Sequence, residues 1–160
     1  MTEAEFISTY GRQAARIHRY CLLRVGSKTE AEDITAEVFA RLLAEKRALN
    51  DGHLTKWLFT VAHNLCANSR RDRRETALPS GFDTPAPIAE SGVDGDVWLS
   101  LRRLPEEQRL AVYLRAVEDL DFRTIARLLG KSVGATKMTY YRGVKTLASI
   151  LLEVSNEKQA

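Results

Sequence analysis

DFRTIARLLGKSVGATKMTYYRGVKTLASILL, from Asp121 to Leu152, decides the fold of this chain. Apolar residues recur at helical spacing on both sides of Leu129-Gly130-Lys131-Ser132: Phe122, Ile125, Ala126 and Leu129 before it, Val133, Tyr140, Val144, Leu147 and Leu151 after it. Two helices joined by a short glycine-containing turn are the pattern of a helix-turn-helix. Gly130 suits the left-handed residue that ends the first helix, and Ser132 suits the N-cap of the second. From Phe122 to Leu152 there are six Lys or Arg residues and no Asp or Glu. A basic helix after such a turn is the expected reader of a DNA major groove. A solvated basic helix of an ordinary helical domain is the alternative, and the single sign of the charge argues against it.

Working outward, the 160 residues allow one domain or two small ones, and 44% hydrophobic with 28% charged residues describe a folded, water-soluble chain. Net charge is only +3, so its clustering carries the information. Cys21 and Cys66 have no metal-ligand spacing and read as reduced core residues. No apolar run approaches the ~18 residues that span a bilayer, and MTEAEFISTY lacks the features of a signal peptide. A cytoplasmic protein is expected.

The first helix is expected over residues 3–24, opened by a Thr2/Glu5 capping box, with Phe6, Tyr10, Ala14, Ile17, Cys21 and Val25 inward. The second is expected over 28–48, with Ile34, Val38, Leu42 and Leu43 inward and an acidic stripe of Glu30, Asp33 and Glu37. The helix dipole accounts for Glu30 but not for Glu37, two turns in. Leu49 to His53 reads as a loop on its Asn-Asp-Gly signal. The third helix, 54–74, buries Trp57, Leu58, Val61, Ala62 and Leu65 and ends in SRRDRR. That run suits a helix C-terminus and a phosphate backbone equally.

Residues 76–96 hold three of the four prolines, three glycines, four acids and no Lys or Arg, the composition of a flexible linker. It divides a module of residues 1–75 (13 basic, 10 acidic) from one of residues 97–160 (11 basic, 7 acidic). An acidic tether can avoid DNA or occupy a basic groove until DNA displaces it. The second module begins with a short helix from Val97 to Arg103, then a helix opened by Pro105 with Glu106 and Glu107 in its first turn. The tail from Glu153 is polar and reads as frayed. No strand alternation appears, so the fold class is all-α, two small helical domains on an acidic linker.

Four stretches carry a resemblance: AEDITAEVFARLL (31–43), WLFTVAHNLCANSRRDRR (57–74), LPEEQRLAVYLRAVEDLDFRTIARLLGKSVGATK (104–137) and YYRGVKTL (140–147). In order and spacing they resemble the bacterial sigma-70 family, in its short extracytoplasmic-function (ECF) group, which retains the second and fourth conserved regions. The resemblance implies a transcription initiation factor that binds core RNA polymerase, recognises the −35 duplex and opens the −10 element as single strand. It implies polymerase docking by Glu32, Asp33, Glu37 and Phe39. Ala36 stands where the family has Gln, which removes one polar contact. For the −10 element it implies Asn50, Asp51 and His53 in a loop that takes a flipped base, Val61 and Asn64 as the pocket wall, and Asn68 and Arg71 further along. Asn offers a base edge both donor and acceptor, and Arg71 can neutralise a phosphate. Trp57, on the apolar face, reads as core rather than as a stacking platform.

For the −35 element the resemblance implies Ser132, Gly134 and Ala135 at a helix start that approaches DNA closely, then Lys137, Met138, Tyr141 and Arg142 towards the groove. Arg142, with its planar fork, is the leading base or phosphate contact. Met138 and Thr139 replace a Ser and an Arg common in the family, and Met138 can touch a thymine methyl instead. Tyr140 reads as core, and Tyr141 has either role. An anti-sigma factor is the expected inhibitor. No cofactor or metal is expected, since His63 and Cys66 alone make no site. Paired carboxylates, an activated nucleophile and a phosphate-cradling loop are all missing, so no catalytic residues are expected. The competing reading is a free-standing helix-turn-helix repressor or activator. It requires a dimerisation or ligand module where this chain has an acidic helix and an Asn-bearing one.

Overall fold

Thr2 opens the first helix by the expected reciprocal cap. In the computed structural model, which describes residues 1–45, 49–75 and 93–159 (51 and 73–75 by backbone alone), its hydroxyl accepts the Glu5 amide at 3.1 Å and the Glu5 carboxylate accepts the Thr2 amide at 2.7 Å. Helix α1, Glu3–Val25, ends at Gly26, whose φ of 71° only glycine adopts without cost. Ser27 then caps α2, Lys28–Ala44, by accepting the Glu30 amide. Helix α2 stops four residues short of the expected end at 48, and residues 46–48 lie outside the described ones. Helix α3, Asp51–Glu75, starts three residues earlier than expected. Asn50 is its cap: the side-chain oxygen accepts the His53 amide at 2.9 Å and the carbonyl accepts the Leu54 amide at 2.7 Å. Asp51 and His53 are therefore in a helical first turn, not in a loop.

These three helices pack against one another in pairs around Ile17, Cys21, Val38, Leu58, Phe59 and Cys66, all buried. Two expected core residues are outside: Tyr10 is 49% exposed and Leu43 66%. Leu42 takes the inward position on α2, so its neighbour Leu43 points ~100° away. Tyr10 meets Phe39 edge-to-face, at 4.9 Å between centroids, and Phe6 at 6.4 Å, with about half of its surface left to solvent. A buried polar network ties α1 to α3. Arg24 donates to the His63 carbonyl at 3.2 Å and to His63 Nδ1 at 3.0 Å, and Tyr20 Oη lies 2.7 Å from the same nitrogen. Guanidinium groups only donate, so Nδ1 accepts.

The chain divides into two compact units, Met1–Ala86 and Pro87–Ala160. Of the expected linker, residues 76–92 lie outside the described ones; its last residues form the start of α4, Gly95–Arg103, capped by Asp94. Helix α5, Glu106–Val112, opens on Pro105 and runs into a π-helical turn, Tyr113–Val117, closed by the Glu118 amide on the Tyr113 carbonyl at 3.2 Å. Asp121 caps α6, Phe122–Leu129, through the Thr124 amide at 2.8 Å. Gly130 at φ 66° ends α6, and Ser132 caps α7, Val133–Gln159, by accepting the Ala135 amide at 3.1 Å. The helix-turn-helix is thus formed by the residues expected to form it.

Helix α7 packs on α4, α5 and α6 around Trp98, Leu101, Tyr113, Leu114 and Ile125. It does not fray at Glu153: it continues for six more residues, and Glu153 pairs with Arg103 at 3.5 Å and Lys158 with Asp96 at 2.5 Å. Among the described residues there is no strand, and no helix is long and apolar enough to cross a membrane.

Candidate polymerase-docking helix and nucleic-acid interface

On α2, inward positions 31, 34, 35, 38, 39 and 42 leave 32, 33, 36, 37 and 40 exposed. Glu32, Asp33 and Glu37 therefore share an outer face with Ala36. Glu37 holds Arg41 at 3.0 Å, an exposed i,i+4 pair of small energetic worth. Phe39 belongs to the other side: it is 3% exposed, with Phe6 at 6.4 Å and Tyr10 at 4.9 Å by ring centroids. It orients α2 from behind.

On α3, His53, Val61, Asn64, Asn68 and Arg71 follow one another at spacings of three, four or eight residues, so they share one stripe about 27 Å long. His53, Asn64, Asn68 and Arg71 are exposed and Val61 is half-buried. Trp57 is half-buried on the same stripe, and not a full core residue. Arg71 donates to the Asn68 side-chain oxygen at 2.8 Å, which leaves the Asn68 amide group pointing outward as donor. Asn50 stands at the head of the stripe with its oxygen committed to the cap. The side chain of Asp51 lies outside the described residues.

Where α1 passes the start of α3, an open cavity of about 460 Å³ is lined by Glu5, Thr9, Arg12, Leu42, Leu49 and Leu54, among others. Sequence reasoning missed the contribution of α1 here. Only the folding of α1 across α3 brings Arg12 near Leu54.

The second unit presents α7. Thr136, Thr139, Gly143 and Ile150 are buried, so the helix shows Ser132, Gly134, Ala135, Lys137, Met138, Tyr141, Arg142 and Lys145 to solvent. All seven residues expected at the −35 element are on this one surface. Thr139 faces inward, its hydroxyl donating to the Ala135 carbonyl at 3.0 Å. Its departure from the family pattern therefore changes the underside of the helix, not the exposed face. Val133 and Val144 are exposed at 40% and 39% rather than docked, because the inward line runs through 136, 139, 140, 143, 147 and 150. Tyr140 is half-buried, edge-on to Phe122 at 5.3 Å. Lys137 stands over the Phe122 ring at 5.9 Å, and Arg115 over the same ring at 5.4 Å.

Among the described residues, Arg142 and Lys145 enter no ion pair. Lys131, in the turn, does: it pairs with Glu107 at the start of α5. That pairing was not legible, since 24 residues separate the two. Gly143 is where α7 meets α5. A Cβ there would lie 2.6 Å from Val112 Cγ2 and 3.2 Å from the Gln108 carbonyl oxygen.

These faces define the chain as a helix-turn-helix protein whose first unit carries a separate acid-faced helix. Residues 7–76 match the family model for sigma-70 region 2, and residues 95–147 match that for sigma-70, region 4. The chain is 33% identical over 154 residues to the ECF RNA polymerase sigma factor BldN of Streptomyces coelicolor, covering 89% of this chain and 58% of that one. It is 30% identical over 157 residues to the ECF RNA polymerase sigma factor SigE of Mycolicibacterium smegmatis, covering 91% and 61%. It therefore spans about three fifths of the length of these two relatives. In fold it is similar to the sigma factor RpoE of Bartonella quintana, solved with the anti-sigma factor NepR, at a TM-score of 0.71, 20% identity, and 92% and 96% coverage. The chain belongs to the sigma-70 family, in its ECF group.

Proposed function

We propose that this chain is an alternative sigma factor: a non-catalytic subunit that joins core RNA polymerase in the cytoplasm and directs initiation at its own promoters. The observation that carries this is the opposition of two faces in separate units. One is the acidic outer face of α2 (Glu32, Asp33, Glu37). The other is the uncompensated basic face of α7 (Lys137, Arg142, Lys145). An acidic helix suits a basic partner surface, and a basic recognition helix suits the major groove.

The division of labour follows the sequence. Residues 1–75 dock on polymerase and hold the −10 single strand, 76–96 tether, and 97–160 read the −35 duplex. The α3 stripe supports the −10 role, since Asn64 and Asn68 offer amide groups to base edges and Arg71 a cation to phosphate. Asn50, Asp51 and His53 open α3 next in sequence to Leu49 and Leu54, and the resemblance supports their place at a base turned out of the duplex. The likeness to a sigma factor solved with its anti-sigma factor supports a protein inhibitor of this chain too. No cofactor or metal has a role in this scheme.

Permanganate reactivity of promoter thymines tests the opening step. Complexes of this chain with core polymerase should make −10 thymines reactive. Reactivity that stays at the level of closed duplex on every DNA the complex binds would point instead to a free-standing repressor.

A further inference from the structure

The reading face of α7 is chemically mixed. Its cations are Lys137, Arg142 and Lys145, but two large apolar side chains stand among them. Met138 is 52% exposed and Tyr141 60%, so packing within the unit does not require either. One turn before Met138 is Gly134, where an added Cβ would meet nothing within 4 Å. The interior thus gives no reason for glycine at a helical position where it is costly. Helical side chains lean towards the turn that precedes them, which directs Met138 towards the turn that holds Gly134. Tyr141 is backed by Tyr140 at 5.4 Å, and Tyr140 by Phe122 at 5.3 Å. The face therefore sets two exposed apolar side chains, Met138 and Tyr141, among positive charges.

Phosphates account for the charges but not for the apolar pair. In the major groove the apolar feature of the base edges is the C5-methyl of thymine. We propose that Met138, exposed on the same face as Gly134 and Tyr141, reads a thymine methyl in the −35 duplex, which makes it a specificity-determining residue of this promoter reader. The inference rests on α7 being that reader. An apolar side chain here replaces hydrogen-bonded readout with methyl contact, and the small residue one turn before it lets the duplex approach closely enough for that contact to form.

The test removes the methyl and nothing else. Duplexes are selected from random DNA with the full chain on core polymerase, then resynthesised with deoxyuridine in place of one thymine at a time. Every phosphate and hydrogen-bonding group is kept. The unmodified protein should lose about fourfold in affinity at one position, the worth of one buried methyl group. Met138→Gln, nearly isosteric and exposed, should bind the thymine and deoxyuridine duplexes equally. Arg142→Ala should bind both more weakly and retain the fourfold ratio. Indifference of the unmodified protein to deoxyuridine at every position, with duplex binding intact, would overturn the inference and leave α7 as the reader. A full-sized methyl effect in Met138→Gln would also overturn it. Failure to retain any duplex would overturn both.

Discussion

Replacing Gly143 by alanine should separate α5 from α7, and the size of the effect can be worked out against a control on the same helix. The new Cβ would lie 2.6 Å from Val112 Cγ2 and 3.2 Å from both the Cβ and the carbonyl oxygen of Gln108. Carbon atoms in contact sit about 3.5–4.0 Å apart, so the helices must part by about 1 Å. Val112 is buried and β-branched, and the Gln108 oxygen is backbone, so neither can swing aside. Overpacking of this kind costs about 1–3 kcal/mol, and the rigid neighbours place it at about 2.5. Alanine returns up to about 1 kcal/mol of helix propensity. Gly134→Ala, in the first turn of α7, receives at most that return with no clash, since its Cβ would meet nothing within 4 Å. The two variants should therefore differ by up to about 2.5 kcal/mol, or roughly 10–20 °C in the Tm of a unit this small. Trp98 is fully buried in that unit, so its fluorescence in a Trp57→Phe background reports the unfolding. Gly143→Ala unfolding within about 0.5 kcal/mol of Gly134→Ala would refute the close approach of α5 and α7.

Further outcomes follow from the same geometry. Arg142→Ala should reduce the salt dependence of duplex binding by about 0.9 in log–log slope, one phosphate's worth, when binding is titrated across ionic strength; polymerase binding should be unchanged. Glu37→Lys should do the converse on gel filtration with core polymerase, with thermal stability altered by less than ~1 kcal/mol because the Glu37–Arg41 pair is exposed. Burial holds the Tyr20 phenol above its ordinary range, so the native state resists its ionisation while the unfolded chain ionises near pH ~10. The unfolded state then binds fewer protons, and stability of the first unit should fall as pH rises above ~10, by up to about 1.4 kcal/mol per pH unit in urea titrations. Cys21 hydrogen-bonds with Cys66, and that bond and burial keep the Cys21 thiol protonated. Both are fully buried, and alkylation of the native chain should be slower than that of the unfolded chain by about 10³ or more, read by mass spectrometry.

Much of the fold was legible because local chemistry decided it. Thr2 with Glu5, Gly130 and Ser132 act within a single turn, and each does in the structure what its type and position imply. Asn50-Asp51-Gly52 was misread because one signal serves two structures: Asn both favours turns and caps helices, and here it caps α3. The end of α7 was not legible at all. Its last turns carry Arg103–Glu153 and Asp96–Lys158, pairs that only the folded second unit brings together. Nor does any residue type announce the π turn at Tyr113–Val117. The outward side of α7 was legible in part: Ser132, Gly134, Ala135, Lys137, Met138, Tyr141 and Arg142 are exposed, but Val133 and Val144, which the periodicity put on the inward line, are exposed with them. The outer face of α2 was legible for Glu32, Asp33 and Glu37, which are exposed, whereas Phe39 is buried, and an apolar residue on an amphipathic helix reads the same for a core as for a partner.

Run-off transcription with core polymerase tests the central claim most directly: one polypeptide that grips an enzyme with its acids and a promoter with its bases. On a template carrying a duplex selected by the full chain, the chain should start transcripts at a fixed distance downstream. Glu37→Lys and Arg142→Ala should each weaken that signal, the first by losing polymerase and the second by losing DNA. If no template supports specific initiation, while the chain alone binds the selected duplex and excludes polymerase from it, the protein is a repressor and the account is wrong.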